Sequence, residues 1–545
     1  MTTRIRSIED VAGELGLDPR AVTTLGSSKA KLDPHASPPD GAGREGALVL
    51  VSAIGPTRFG EGKTTISIGL ADGLRRVGAR ACLALREPSL GPVFGMKGGG
   101  TGGGRAQVVP ADDVNLHFTG DLHAIGTAHN LLAAMIDSEL HFGARDGKTA
   151  SGIDPAQVTW PRVLDMNDRA LRSVVLDAGG RAQRSSRFDI TAASEVMATL
   201  ALAGSLDDLR ERLARTVVGW REDGSPVTAA DMGATEAMVA LLREALRPNL
   251  VQTADGTPAL VHCGPFANIA HGCSSVLATR LALRHAEVVV TEAGFGFDLG
   301  GEKFLHLKAP QAGVWPRCVV LVTTVRALVH HGGGDLERGL AHLDRQVANV
   351  RAFGLPVVLA LNVFANDAEG DLAVIESHAR DLDAAAARCT AFAEGGSGGV
   401  ALAAAVREQL RLNGDDPPRP QALYQPDDGL VDKLRSLARR VYGARDVALT
   451  DGAQADLERL TGAGFGTLPV CVAKTHLSFT DDPKGGGLAT DFTPTVNEVR
   501  LAAGAGFVVA LMGRIFTMPG LPREPAARNV KVEASGRIRG LMQGS

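Results

Sequence analysis

The feature that most constrains this chain is an apolar run, Ala47 to Ile54, leading into the loop Thr57-Arg58-Phe59-Gly60-Glu61-Gly62-Lys63-Thr64-Thr65 and then into a periodic helical segment reaching about Val77. A short apolar run bounded by turn residues reads as a strand buried on both faces. A glycine loop between such a strand and a helix is the setting of a phosphate-binding loop. Small residues let backbone N–H groups converge on phosphate oxygens, and the helix N-terminus adds its partial positive charge. In the pattern G-x-x-x-x-G-K-[ST], Lys63 would reach the terminal phosphates and Thr64 would hold Mg2+. The first glycine of that pattern is Thr57 here. The plain alternative is a glycine turn with an exposed lysine. The strand–loop–helix order counts against it, and so does the doubled threonine, a poor helix former without a partner.

A second strand at Ala81–Leu85 completes a βαβ unit, and further buried strands are expected at Ala259–His262, Ala286–Thr291, Cys318–Val325 and Pro356–Leu361. The fold class is therefore α/β: a P-loop NTPase-like, mostly parallel sheet core with a helical side domain and a C-terminal α/β domain. The expected division is a nucleotide-binding core over 1–120 and 249–345, a helix-rich side domain over 121–248, and a C-terminal domain over 346–545. The last of these has helices at Asp371–Arg388, Leu430–Tyr442 and Ala453–Thr461 and late strands at Leu468–Ala473 and Phe507–Met512. The first 45 residues read as a polar helix and a Pro/Gly/Ser-rich connector.

Composition narrows the function. A net charge of −4 with scattered basic residues leaves no footprint for nucleic acid or anionic lipid. No apolar stretch approaches the roughly 18 residues of a membrane span, and no cationic-then-apolar leader opens the sequence, so a cytoplasmic location is expected. The six cysteines are widely spaced, without C-x-x-C pairs, which indicates neither a disulfide framework nor a zinc site. Glycine, at 66 of 545 residues, exceeds the usual share of roughly 7%.

Two segments place further chemistry at strand ends, where α/β sheets bind ligands. Arg86-Glu87-Pro88-Ser89-Leu90-Gly91-Pro92 follows the second strand; Arg86 offers a planar fork for a carboxylate or acyl phosphate, and Glu87 could orient a nucleophile or cation. Gly95 to Gly104 holds seven glycines in ten residues beside Lys97. It joins two motif-bearing segments, so an anion-cradling loop including Lys97, Gly98 and Gly99 is favoured over a linker. Glu292, at the end of its strand, stands where P-loop proteins put an acid that holds Mg2+ through water; an ordinary capping or ion-pair glutamate is the open alternative.

With these motifs in place, the chain resembles the formate–tetrahydrofolate ligase family from about Gly46 to the C-terminus. The strings that carry the resemblance are Gly60–Thr65, Arg86–Gly95, Asn115–Asp121, Asp165–Arg172, Gly264–Cys273, Thr291–Gly296, Val325–Leu328 with His331–Gly333, and Met518–Pro522. The resemblance implies ATP-dependent ligation of formate to tetrahydrofolate through formyl phosphate, in one-carbon metabolism. It implies ATP and Mg2+ as cofactors, an activating monovalent cation of unspecified identity, and a homotetramer. It places the catalytic work on Lys63, Arg86 and Glu87. The nucleotide falls to Thr57, Gly60, Glu61, Gly62, Lys63, Thr64, Thr65, Lys97, Gly98 and Gly99, and the metal to Thr64 and Glu292.

Folate falls to Phe364, Ala365, Phe392, Gly395 and Gly396. The family's W-A-K-G-G-E-G-G string is Phe392-Ala393-Glu394-Gly395-Gly396-Ser397-Gly398-Gly399 here, and its proline after Phe364 is Ala365. Phenylalanine still stacks on a pterin, with less area than indole. His117, His123, His271 and Asp121 sit in matched strings but read as hydrogen-bonded structural residues. Two rivals remain: another P-loop ligase that activates a carboxylate, like dethiobiotin synthetase, and a non-catalytic paralogue that binds nucleotide or folate. A GTPase is disfavoured because Asn362-Val363-Phe364-Ala365 lacks the N-K-x-D base-reading pattern.

Overall fold

The computed structural model describes residues 5–37, 45–57, 60–95, 100–146, 148–177, 183–414, 419–484 and 489–541. Its centre is a twelve-stranded sheet. In chain order its strands are β1 (Val22–Thr24), β2 (Ala30–Leu32), β3 (Ala47–Ala53), β4 (Ala81–Leu85), β5 (Gly102–Gly103), β6 (Ala106–Val109), β7 (Asn249–Thr253), β8 (Pro258–Val261), β9 (Val288–Glu292), β10 (Cys318–Thr323), β11 (Val357–Asn362) and β12 (Ala385–Cys389). Their spatial order is β1-β2-β7-β8-β4-β9-β3-β10-β11-β12, with β6 pairing β7 and β5. From β8 to β12 every pairing is parallel. The edge strands β1, β2, β5, β6 and β7 pair antiparallel.

The apolar runs follow from burial on both faces. Along β3, Leu48 and Leu50 enter one hydrophobic cluster while Val49, Val51 and Ala53 enter another on the opposite face. The same alternation divides Val289 and Val319 from Val290 and Val320. Side chains that alternate across a pleat leave no face for polar residues when helices cover both. Helix α1 (Lys63–Arg76) covers the second face, packing Ile66, Leu70 and Leu74 with Leu402 and Val406 of the helix Val400–Leu412. A third cluster, built on Ile125, Leu132, Ile136, Trp160, Leu200 and Met238, fills the side region between residues 121 and 248.

Several boundaries differ from the expectation. The sheet does not end at 345: β11 and β12 continue it, and the separate C-terminal sheet is the four-stranded β13 (Ala448–Leu449), β14 (Val470–Ala473), β15 (Thr495–Ala502) and β16 (Phe507–Met512), ordered β13-β15-β16-β14. The tail of the expected helix Asp371–Arg388 is strand β12, the helix itself ending at Asp381. Alanines favour helix locally, but the open edge of β11 offers hydrogen-bond partners that override this preference. The side region, expected to be poor in strands, carries three strand pairs: Arg162–Leu164 with Phe188–Ile190, Val174–Asp177 with Gln183–Ser186, and Val217–Trp220 with Pro226–Thr228. These strands are only three or four residues long, too short to show a periodic pattern in the sequence. The N-terminal segment likewise contributes the hairpin β1–β2 beyond its helix Ile8–Glu14. Among the described residues no helix is long and apolar enough to cross a membrane, and all six cysteines are buried free thiols.

Two buried histidines make stability pH-dependent. His262 donates from Nε2 to the Ala245 carbonyl and bonds the Ser275 hydroxyl through Nδ1, each at 2.7 Å. His129 bonds the Pro161 carbonyl at 3.1 Å and stacks on Trp160 at 4.1 Å. Burial pushes both imidazoles down to about 4. The unfolded chain therefore takes up protons near pH 6.5 that the folded one refuses, so stability is intact above that pH and is lost as pH falls toward 4. Each histidine is expected to remove about 2 kcal/mol between pH 6.5 and pH 5. Urea midpoints across that interval check this, and the slope should flatten in His262→Gln.

Candidate active site

The site lies at the carboxyl ends of β3, β4 and β9, where the chain crosses from one side of β3 to the other, the switch point at which α/β sheets bind ligands. Gly62 ends the loop at φ 73, a conformation an L side chain rarely adopts, and thereby aims the first N–H groups of α1 back over β3. Lys63 is the first residue of that helix.

Beside it, the Thr64 hydroxyl donates to Glu292 Oε2 at 2.8 Å, and Arg86 Nη2 reaches Glu292 Oε1 at 3.5 Å. One carboxylate from β9 thus bridges the helix after β3 and the residue after β4, three segments remote in sequence. Arg86 Nε is buried with no hydrogen-bond partner among the described residues. Glu87 is buried too, and its Oε2 has no hydrogen-bond partner among the described residues. Burial, reinforced by the Asp121 carboxylate, raises its pKa well above the ordinary glutamate value. It lines a cavity of about 660 Å3 whose wall includes Leu90, Leu116, Phe118, Leu131 and Asp165.

Glu61 has a job that the loop pattern did not suggest. Its carboxylate turns inward, 3% exposed, and accepts from the hydroxyls of Thr57 and Thr324, while Asn362 Nδ2 donates to its carbonyl at 3.1 Å. The loop is therefore clasped from the ends of β10 and β11. Thr324, Asn362 and Arg326 were not singled out by sequence; the only signal was that Thr324 and Asn362 close apolar strands and that Arg326 lies in the string Val325–Leu328. Phe295, two residues beyond Ala293 on the loop after Glu292, takes φ 56 and stacks on His476 of the C-terminal segment at 4.5 Å. A non-glycine residue held there signals a conformation imposed by its surroundings.

The aromatic candidates lie on two flanks. Phe364 is half-buried just past β11, and Ala365 beside it is exposed. Phe392 is 42% exposed, against the hairpin β5–β6: its carbonyl accepts from Arg105 N at 2.9 Å, and a Cβ on Gly104 would lie 2.0 Å from that same oxygen. Thr65 sits beside the same hairpin, Oγ1 lying 3.6 Å from where a Cβ on Gly103 would be. Gly396 is pressed on α1: a Cβ there would meet Asp72 and Arg76, and its N–H bonds Asp255, whereas Gly395, at φ 63, faces Arg105 and Asp255. Lys97, Gly98 and Gly99 lie outside the described residues. The far end of their loop is braced by buried Asn115, which accepts from Gly100 N at 2.6 Å and donates to Thr101 at 3.0 Å.

The profile of the formate–tetrahydrofolate ligase family matches residues 1–542. This chain belongs to that family. Proteins named formate–tetrahydrofolate ligase from Myxococcus xanthus, Acidiphilium cryptum and Paracoccus denitrificans are 54%, 52% and 52% identical to it. These alignments cover 99%, 99% and 98% of this chain and 100%, 98% and 97% of the relatives. The family match starts at residue 1, ahead of Gly46, where the resemblance was expected to begin. The fold explains this: the N-terminal segment supplies β1 and β2, and Lys31 of β2 bonds Asp121 at 2.6 Å within reach of the Glu87 field.

Among the described residues no cluster of three or more His, Cys, Asp or Glu could hold a metal by itself. A cation arriving with nucleotide phosphates needs less: one hydroxyl and one carboxylate, with phosphate and water filling the remaining positions. Thr64 and Glu292, already in hydrogen-bond contact, fit that requirement.

Proposed function

We infer that this protein ligates formate to the N10 nitrogen of tetrahydrofolate, converting ATP to ADP and phosphate and giving 10-formyltetrahydrofolate. The observation that carries the residue assignment is the single Glu292 carboxylate shared by Thr64 and Arg86. It joins a nucleotide-side hydroxyl to a carboxylate-binding guanidinium.

The chemistry follows from the substrates. Attack on formate itself would have to expel oxide, so a formate oxygen first attacks the γ-phosphorus of ATP; the bond to the β-phosphate oxygen breaks and ADP leaves. The folate amine then attacks the formyl carbon of formyl phosphate, the carbon–oxygen bond to phosphate breaks, and the amine loses its proton. In-line phosphoryl transfer depends mainly on positioning and charge neutralisation. Lys63 neutralises the terminal phosphate and the Arg86 fork holds formate against it. Thr64 and Glu292 would hold Mg2+, which would supply further neutralisation of phosphate charge. Burial disfavours the charged form of Glu87, which lessens its repulsion of formate. Phe364 and Phe392 offer flat apolar surface for the pterin.

Purified protein given ATP, Mg2+, formate and tetrahydrofolate should form 10-formyltetrahydrofolate, and omission of any one component should abolish it. Formate-dependent ADP release that persists undiminished with another amine acceptor in place of folate would favour the dethiobiotin synthetase-like reading. Nucleotide binding without any turnover would favour the non-catalytic one.

A further inference from the structure

Arg326 stands between the two halves of the site. It is the second residue of the helix Val325–His331, which Thr324 caps by accepting from Ala327 N at 3.0 Å. Its guanidinium carbon lies 3.9 Å over the Phe364 ring. From the same fork, Nη2 donates to the Gly60 carbonyl and Nε lies 3.9 Å from Glu61 Oε2. The backbone of Phe364 is fixed separately, its N–H donating to Asp367 at 2.8 Å.

We propose that Arg326 is the positioning residue of the folate wall, backing one face of the Phe364 ring and fastening that ring to the phosphate-binding loop. A lone phenylalanine past a strand end turns freely about its side-chain bonds, and a stacking surface that must first be ordered loses affinity. A guanidinium laid flat on the ring removes that freedom and leaves the opposite face for a flat heterocycle. Because the same fork holds Gly60, the ring and the loop that binds phosphate keep a constant spacing. The planar shape is essential for the ring, whereas the loop contacts need only a cation. The two functions can therefore be separated by substitution.

The inference rests on the assignment of Phe364 to the folate wall, so the experiment carries Phe364→Ala beside Arg326→Ala and Arg326→Lys. KM for tetrahydrofolate and KM for ATP are measured in each, with thermal midpoints to show that each variant is folded. Arg326→Ala should raise both constants, that for tetrahydrofolate by about tenfold. Arg326→Lys should bring the ATP constant back toward the parent value, through its charge near Gly60 and Glu61, while leaving the folate constant high. That split is not produced by a general loss of structure. If lysine restores both constants alike, or if Arg326→Ala leaves the folate constant unchanged while Phe364→Ala raises it, the role given to Arg326 is wrong and the folate wall stands. If Phe364→Ala leaves the folate constant unchanged, the wall assignment itself fails. Should Arg326→Ala not fold, Arg326→Lys against Phe364→Ala decides the matter by the same split.

Discussion

Lys63→Ala is expected to lower formate-dependent ADP formation by about a thousandfold or more. Transfer of the γ-phosphoryl spreads negative charge over its equatorial oxygens, and the protein answers with fixed positive charge rather than with covalent chemistry. The proposed function gives this task to Lys63, at the first position of α1, directly after the left-handed Gly62. Alanine keeps the helix start and its N–H groups and removes only the ammonium. Nucleotide binding should weaken far less than turnover, because backbone N–H groups still hold the phosphates. Single-turnover ADP formation with and without formate measures the effect. Activity within a few-fold of the parent enzyme would mean that the phosphate-binding loop has been misplaced.

Gly300→Ala is the second large effect. A Cβ at position 300 would lie 1.7 Å from the Gly294 carbonyl oxygen and 2.9 Å from its nitrogen. Both are backbone atoms, so no rotamer change relieves the clash, and the segment from Glu292 to Gly301 must shift as a whole. Overpacking that displaces backbone is expected to cost about 3 to 5 kcal/mol. It should also impair turnover, because Glu292 and Phe295 lie on the displaced segment and the Arg86 guanidinium lies beside Gly294. Gly462→Ala serves as control: nothing stands within 4 Å of its would-be Cβ, and it ends the helix Asp451–Gly462. Denaturant midpoints should separate the two clearly; equal midpoints would show that the loop yields more easily than its packing indicates.

How much of this was legible beforehand depended on what each residue answers to. The strands β3, β4, β10 and β11 could be read within a residue or two because burial on both faces leaves only apolar side chains. Strand β12 could not, because Ala385–Ala387 carry no such pattern; an available sheet edge, not their own preference, makes them extended. Lys63, Thr64, Arg86 and Glu292 were legible as polar residues at strand ends, and the structure brings Thr64 and Arg86 onto the Glu292 carboxylate. Glu61 was legible as a loop residue but not as the buried brace it is, since its partners Thr57 and Thr324 are 4 and 263 positions away. Gly395 and Gly396 were read as loop glycines near folate, and the structure presses Gly396 on α1, where close packing leaves no room for a Cβ.

The sequence by itself determined the α/β class and the order strand, glycine loop, helix, because periodicity and local loop chemistry need only neighbours along the chain. Only the tertiary structure decided which carboxylate meets Thr64 and Arg86, that burial disfavours the charged form of Glu87, and that Arg326 joins Phe364 to the loop ahead of α1. Those outcomes depend on burial and on approach between segments hundreds of residues apart, which chain packing sets and local pattern does not encode.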